Sequence, residues 1–345
     1  MNQNQTICFV AGRSGGHIIP ALTLAHAHKK EYPTSRVLFF STNTPLDTAI
    51  ISADNSVDTY YQLPMDNIPK RWYRIPKYLY HATRSFFTSF YQLYKHKPAL
   101  VISTGGYIGL PVCFAAWILR IPLELWELNA LPGRSAHLLA RFATKIHVVF
   151  DACKQYFPKQ KTVVSAYPIR FTEKQISREQ ACTMINLDPY KKTILVLGGS
   201  QGSVSINTII KQSLAHIENL RAVQCIHQTG AADTSNWHEI YAQHNMQAYI
   251  CAYTNEIEPL YNAADLIICR AGAGSLFETV YFKKPAIIIP LETAITDHQL
   301  DNARAIALQY PELCTVLREQ DIKRDPQEFY TMINTLLYKH ITQRG

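Results

Sequence analysis

The feature that most constrains the fold is an apolar run that stops at a glycine turn and restarts as a helix: Ile267-Ile268-Cys269-Arg270-Ala271-Gly272-Ala273-Gly274-Ser275-Leu276-Phe277-Glu278. Residues 264–270 have too few polar positions to alternate, the pattern of a strand buried on both faces of a parallel sheet. The turn predicts close approach of backbone N–H groups to a ligand, and the helix N-terminus that follows favours phosphate. A glutamate just inside that helix, Glu278, is placed to accept both hydroxyls of a ribose. The next strand, 285–290, leads to Asp297-His298-Gln299 and Asn302, polar groups able to reach a sugar. One unit therefore offers positions for ribose, phosphate and sugar.

Three more turns repeat the device. Residues 6–10 form an apolar strand, followed by Gly12-Arg13-Ser14-Gly15-Gly16-His17 and a helical pattern from Ile19 to Lys30. Ser103-Thr104-Gly105-Gly106-Tyr107 follows the run 100–103, and Leu197-Gly198-Gly199-Ser200-Gln201-Gly202 follows 193–197. None is the G-x-G-x-x-G dinucleotide fingerprint, and the second strand ends in Ser41-Thr42-Asn43 with no acid for an NAD ribose, which argues against a dehydrogenase. All four turns sit at strand C-terminal ends, where open α/β sheets bind ligands. Strands are expected near 6–11, 36–41, 59–63, 99–103, 122–127 and 145–150, then near 193–197, 223–227, 248–252, 265–269, 285–289 and 314–317, with helices between. The break at Tyr167-Pro168 divides the halves. The expected architecture is α/β: two doubly wound Rossmann-like domains, 1–166 and 167–345, facing across a cleft.

Net charge is +8, from 34 basic and 26 acidic residues, which favours anionic partners. The eight cysteines form no C-x-x-C pair, and several lie in apolar strands, so buried thiols are expected rather than disulfides or a zinc site. The polar start, Met1 to Gln5, leads straight into a strand and gives no signal-peptide pattern. Pro98 to Leu119 carries no charge and is long enough to span a bilayer, but Gly105, Gly106, Gly109 and Pro111 interrupt it. A strand, a glycine loop and a short buried helix explain it better. Residues 67–97 hold Lys70, Arg71, Arg74, Lys77, Arg84, Lys95 and Lys97 with no acid, interleaved with aromatics. Phe86, Phe87, Phe90, Tyr91 and Tyr94 follow helical spacing and read as mostly core. The earlier stretch, with Lys70, Arg71, Trp72, Arg74 and Lys77, is the candidate for an anionic membrane surface. Nucleic acid is disfavoured, because no binding module is recognisable.

The segments AGRSGGHIIP, STGGYIGLP, ELNALPG, LARFATK, LGGSQGS, HQTG, CRAGAGSLFE and DHQLDNA resemble, in order and rough spacing from about Thr6 to about residue 320, the MurG glycosyltransferases. That resemblance implies the GT-B architecture and inverting transfer of N-acetylglucosamine from UDP-N-acetylglucosamine to undecaprenyl-linked lipid I, making lipid II for peptidoglycan. It implies a peripheral enzyme on the cytoplasmic face of the bacterial plasma membrane. It also implies a site that needs no metal, in keeping with the absence of D-x-D from the chain. His17 matches the family's proposed base, and a histidine titrates near neutrality. A role in bonding the loop or a phosphate stays open for it, and Glu127 is a second base candidate. By the same carry-over the donor side comprises Ser14, Gly15, Asn129, Arg170, Ser200, Gln201, Gly202, Thr254, Gly272, Ala273, Glu278, His298 and Gln299. The acceptor side comprises Arg13, Gly16, Gly105, Gly106 and Tyr107. Arg270 reads equally as a buried structural cation. The chain departs from the family at Arg13 and Ser14, at Trp126 and Leu128, and at Tyr167. The family's final helix, which returns to the first domain, has no counterpart after the helix expected at 326–341.

Overall fold

The computed structural model describes residues 5–12, 14–65, 69, 71–171, 176–199, 202–292 and 298–338. The chain divides into two compact units, Met1–Arg170 and Phe171–Gly345, so Arg170 closes the first unit, four residues past the boundary read from the sequence.

The first unit is built on seven parallel strands: β1 (Thr6–Val10), β2 (Arg36–Thr42), β3 (Thr59–Leu63), β4 (Leu100–Ser103), β5 (Leu123–Glu127), β6 (Lys145–Val148) and β7 (Thr162–Val164). Their order across the sheet is β3-β2-β1-β4-β5-β6-β7. The second unit has six: β8 (Lys192–Leu197), β9 (Val223–Gln228), β10 (Gln247–Cys251), β11 (Leu266–Cys269), β12 (Ala286–Ile288) and β13 (Cys314–Val316). These run β10-β9-β8-β11-β12-β13. In each sheet the chain winds outward in one direction, returns to the middle, and winds out the other way. The reversal falls between β1 and β4 in the first sheet and between β8 and β11 in the second. At such a point consecutive loops leave on opposite faces and open a crevice at the strand C-terminal ends.

The apolar runs form strands because helices cover both faces. Ile7 and Phe9 pack with Ile18, Leu22, Val37 and Phe39 in the first unit. Ile194, Val196, Leu266 and Ile268 pack with Ile206, Ile210, Phe329 and Ile333 in the second. The short edge strand β7 has no counterpart in the strands expected from sequence. At three residues, Thr162–Val164 is too short to show a period, and Val163 and Val164 are exposed there. The uncharged segment resolves into β4, a loop and the helix Gly109–Ile118. Among the described residues no helix is long and apolar enough to cross a membrane. All eight cysteines are free, and burial raises the thiol pKa of Cys8 and holds Cys113, Cys225 and Cys269 at about 12.

The basic aromatic segment corrects one expectation. The helix Ile75–His96 buries Ser85, Ser89 and Leu93, not the aromatic stripe. Small serines at four-residue spacing let it lie close to the helix Gly109–Ile118. Phe87, Tyr91 and Tyr94 therefore stand in solvent, with Trp72, Leu79 and Tyr80 before them. Phe86 and Phe90 are half-buried, and Phe86 meets Phe114 at a ring separation of 5.5 Å.

Candidate functional site

In the first unit the loop after β1 is capped by Ser14, extended at φ −159°, and the helix Gly15–Glu31 begins there. Ser14 makes no side-chain cap bond, and the first turn carries no acid. The helices that follow the other glycine turns, Gly109–Ile118, Val204–Ser213 and Ala273–Tyr281, likewise lack an acid in the first turn. Pro45–Ser52, Arg178–Met184, Trp237–Gln243, Glu258–Ala263 and Pro326–Tyr338 all have one, the usual way to offset a helix's positive end. The helices Ile75–His96 and Arg134–Leu139 lack one too; a helix end without an acid leaves its positive end able to meet an anion.

His17 is the third residue of its helix. Its Nδ1 lies 2.7 Å from the carbonyl oxygen of Thr104, and the Thr104 hydroxyl donates to the His17 carbonyl at 3.0 Å. A carbonyl only accepts, so Nδ1 carries the hydrogen and the neutral ring holds its lone pair on Nε2. This pair of bonds crosses the β1/β4 reversal. Gly105 and Gly106, both at positive φ, follow immediately, and a Cβ on Gly105 would come 3.8 Å from His17 Cε1. The structure thus brings Ser14, Gly15, Gly16, His17, Gly105, Gly106 and Tyr107 to one end of one sheet. Thr104, which fixes the histidine tautomer, was not among the sequence candidates. Its only signal was its place in the glycine turn.

Glu127 ends β5 and is buried. Its Oε1 accepts the backbone N–H of Asn129 at 2.9 Å and the Asn129 side-chain amide at 3.0 Å. Burial outweighs these bonds and pushes its carboxyl up to about 7. The neighbouring departure, Trp126, lies flat on His147, with centroids 4.3 Å apart and planes 4° off parallel.

In the second unit Gly202 is at φ +75°, and a Cβ there would fall 2.5 Å from Gly230 Cα and 2.6 Å from the Thr229 carbonyl. Only glycine lets the loop after β8 close onto the loop after β9. Gly272 caps the helix Ala273–Tyr281. Glu278 is its sixth residue, in the second turn rather than just inside the start. It is buried, and the Tyr261 hydroxyl donates to Oε2 at 2.9 Å. Gln299 Oε1 accepts the Leu291 N–H at 2.9 Å, and His298 opens the same helix, His298–Gln309. The buried Asn302 amide donates to the Ala271 carbonyl at 3.3 Å. Thr254 accepts the Glu256 N–H at 3.0 Å in the loop after β10. Arg270 is indeed buried, and its partners lie in the loops after β8 and β12 and on Glu319. Arg13, Lys70, Ser200, Gln201 and Asp297 lie outside the described residues. Among the described residues no cluster of His, Cys, Asp or Glu could hold a metal.

Residues 7–148 match the Glycosyltransferase family 28 N-terminal domain and residues 193–337 the Glycosyltransferase family 28 C-terminal domain. The chain belongs to glycosyltransferase family 28. Family membership covers both glycine-turn crevices. Among relatives, the UDP-N-acetylglucosamine--N-acetylmuramyl-(pentapeptide) pyrophosphoryl-undecaprenol N-acetylglucosamine transferase of Phocaeicola vulgatus is 32% identical over 89% of this chain and 82% of its own length. The protein of that name from Bacteroides fragilis is 30% identical over 94% and 86%. The crystal structure of MurG from Acinetobacter baumannii superposes with a TM-score of 0.72 at 23% identity, covering 96% of this chain and 92% of that one, and shows the same fold.

Proposed function

We propose that this family 28 protein transfers N-acetylglucosamine from UDP-N-acetylglucosamine to undecaprenyl-linked lipid I, yielding lipid II and UDP, at the cytoplasmic face of the bacterial plasma membrane. The relatives' names support the substrates. The observation that carries the chemistry is the His17–Thr104 bond, which puts the imidazole lone pair on Nε2 at a strand-end crevice. The acceptor's sugar hydroxyl attacks the anomeric carbon, the bond from that carbon to the diphosphate oxygen breaks, and UDP leaves with the bonding pair. One displacement inverts the anomeric centre. The hydroxyl proton passes to His17 Nε2, with Glu127, poised near 7, as the other candidate. The N-terminus of the helix Ala273–Tyr281, which has no side-chain cap and no acid in its first turn, stabilises the departing diphosphate. Glu278, oriented by Tyr261, takes the ribose; Ser14, Gly15, Asn129, Arg170, Ser200, Gln201, Gly202, Thr254, Gly272, Ala273, His298 and Gln299 are the other donor candidates, and Arg13, Gly16, Gly105, Gly106 and Tyr107 the acceptor candidates.

A transfer assay with labelled UDP-N-acetylglucosamine and a lipid I analogue, run with and without chelator, tests the reaction. Product with lipid I but not with other lipid-linked sugars is the expected result. Transfer to another lipid acceptor alone would replace lipid I, and donor binding without any turnover would make the chain a non-catalytic relative. His17→Ala is expected to lower turnover roughly 10²–10⁴-fold while donor affinity holds. If turnover survives in His17→Ala and is lost in Glu127→Ala, the base is Glu127. Glu278→Ala is expected to weaken donor binding by about 1.5–3 kcal/mol, the loss of a charge-assisted bond; unchanged affinity by calorimetry removes the ribose assignment.

A further inference from the structure

Arg270 follows β11, the middle of three adjacent strands, β8, β11 and β12, whose C-terminal ends carry the proposed donor loops. Its guanidinium reaches both neighbours. Toward β8, Nε and Nη2 donate to the Ser203 hydroxyl at 3.1 and 2.6 Å, and Nη2 donates to the Ser205 hydroxyl at 2.6 Å. Toward β12, Nη1 donates to the Ile289 carbonyl at 3.1 Å and lies 3.4 Å from that of Pro290. Nη1 also pairs with Glu319 Oε1 at 2.5 Å, and the Ser205 hydroxyl donates to that same oxygen at 2.6 Å.

Three physical points follow. The fork is planar, so fixing Nε, Nη1 and Nη2 at once fixes its plane and the spacing of everything it holds. Serine hydroxyls and carbonyls are neutral, so Glu319 supplies the charge that offsets the guanidinium of a residue only 6% exposed. Each loop partner also adjoins a proposed donor contact. Ser203 follows Gly202 and caps the helix Val204–Ser213 by accepting the Ile206 N–H at 3.3 Å. Arg270 itself precedes Ala271, Gly272 and Ala273. Pro290 precedes Leu291, whose N–H is held by Gln299.

We propose that Arg270, charge-matched by Glu319 and steadied by Ser205, is a positioning residue that sets the spacing of the loops after β8, β11 and β12 for a nucleoside-diphosphate sugar. The inference rests on the donor-site reading above. Among the described residues, the bonds of Glu319 and Ser205 run to Arg270 and to each other, not to a group assigned to the donor, so they act through Arg270.

Glu319→Gln keeps the size and the acceptor oxygen but removes the charge. Ser205→Ala removes one hydroxyl and leaves the ion pair, so it stays informative where Glu319→Gln fails to fold. Steady-state kinetics against UDP-N-acetylglucosamine, with a melting curve for each variant, separates positioning from bulk stability. Misfolding lowers the active fraction, so kcat falls while KM holds. Loss of loop spacing raises KM and donor Kd in the folded fraction. The expected result is a donor KM raised roughly tenfold in Glu319→Gln, the order of one charge-assisted hydrogen bond. In Ser205→Ala the expected rise is smaller, and kcat stays within about twofold in both variants. Unchanged KM in both variants, while Glu278→Ala weakens the donor, overturns this inference alone. Wild-type protein that does not bind UDP-N-acetylglucosamine overturns the donor-site reading and the inference with it.

Discussion

Glu127 is where the competition of forces at the site is most visible. Two N–H groups of Asn129 favour its ionised form, yet burial wins and holds the carboxyl at about 7, against 4.5 unperturbed. A raised folded-state pKa means that stability is fully present below the unfolded value and is lost as pH rises through the folded one. The window is therefore about pH 4.5 to 7, and the loss is of order 3 kcal/mol at about 1.4 kcal/mol per pKa unit. Glu127→Gln keeps the acceptor oxygen and cannot ionise. Denaturant melts at pH 4.5, 6 and 8 are expected to show the variant gaining on the wild type by about that amount across the window. A stability difference that is flat with pH would show that the carboxyl ionises normally. At this scale the sequence was partly legible. His17 and Glu127 stood out as candidates, but the tautomer depended on Thr104, 87 residues away, and the pKa on burial at a strand end. Arg270 was visible in its turn, whereas Ser203, Ser205 and Glu319 were not readable as its partners.

The helix Ile75–His96 shows how an element can keep its predicted spacing and reverse its expected orientation. Ser85, Ser89 and Leu93 share the same helical periodicity as the aromatics, and the small residues were the ones that packed. Patterning by hydrophobicity alone sends aromatics inward. Close approach of two helices favours serine instead. The outcome is an exposed aromatic face headed by Trp72, 81% exposed, with Tyr73 near both Arg71 and Arg74 at about 6 Å from ring centre to guanidinium. This arrangement fits the proposed docking on an anionic bilayer, in which the rings would sit at headgroup depth and the cations against the lipid charge. Changing Arg71, Arg74 and Lys77 to Gln removes about 3 kcal/mol of attraction at about 1 kcal/mol per cation. Vesicle sedimentation is then expected to weaken by roughly two orders of magnitude at low salt, and high salt should do the same to the wild type. Trp72→Ala is expected to weaken binding in a way salt does not mimic. Full sedimentation of the charge-neutralised protein would leave the segment as an ordinary solvated face.

At the scale of the molecule, twelve of the thirteen strands among the described residues lie where apolar runs placed them, because parallel strands covered on both faces leave a nearly continuous hydrophobic record. The thirteenth, β7, is three residues at an edge, too short to leave a readable one. The division into two units makes a separable prediction. Hydrogen exchange with saturating UDP-N-acetylglucosamine is expected to slow in segments 198–203, 270–278 and 289–292 of the second unit, because a ligand bound at 100 times its Kd adds about 2.7 kcal/mol to the state it binds. Protection confined to 12–17 and 104–107 would reassign the donor to the first unit. The two bonds that cross the sheet reversals also bear on how the molecule comes into being. His17 meets Thr104 across 87 residues and Ser203 meets Arg270 across 67. No local stretch of nascent chain contains either crevice. Each exists only once strands distant in sequence have paired, the slow, high-contact-order part of folding. Neither crevice can therefore meet a ligand before its central strands, β1 with β4 and β8 with β11, have come together.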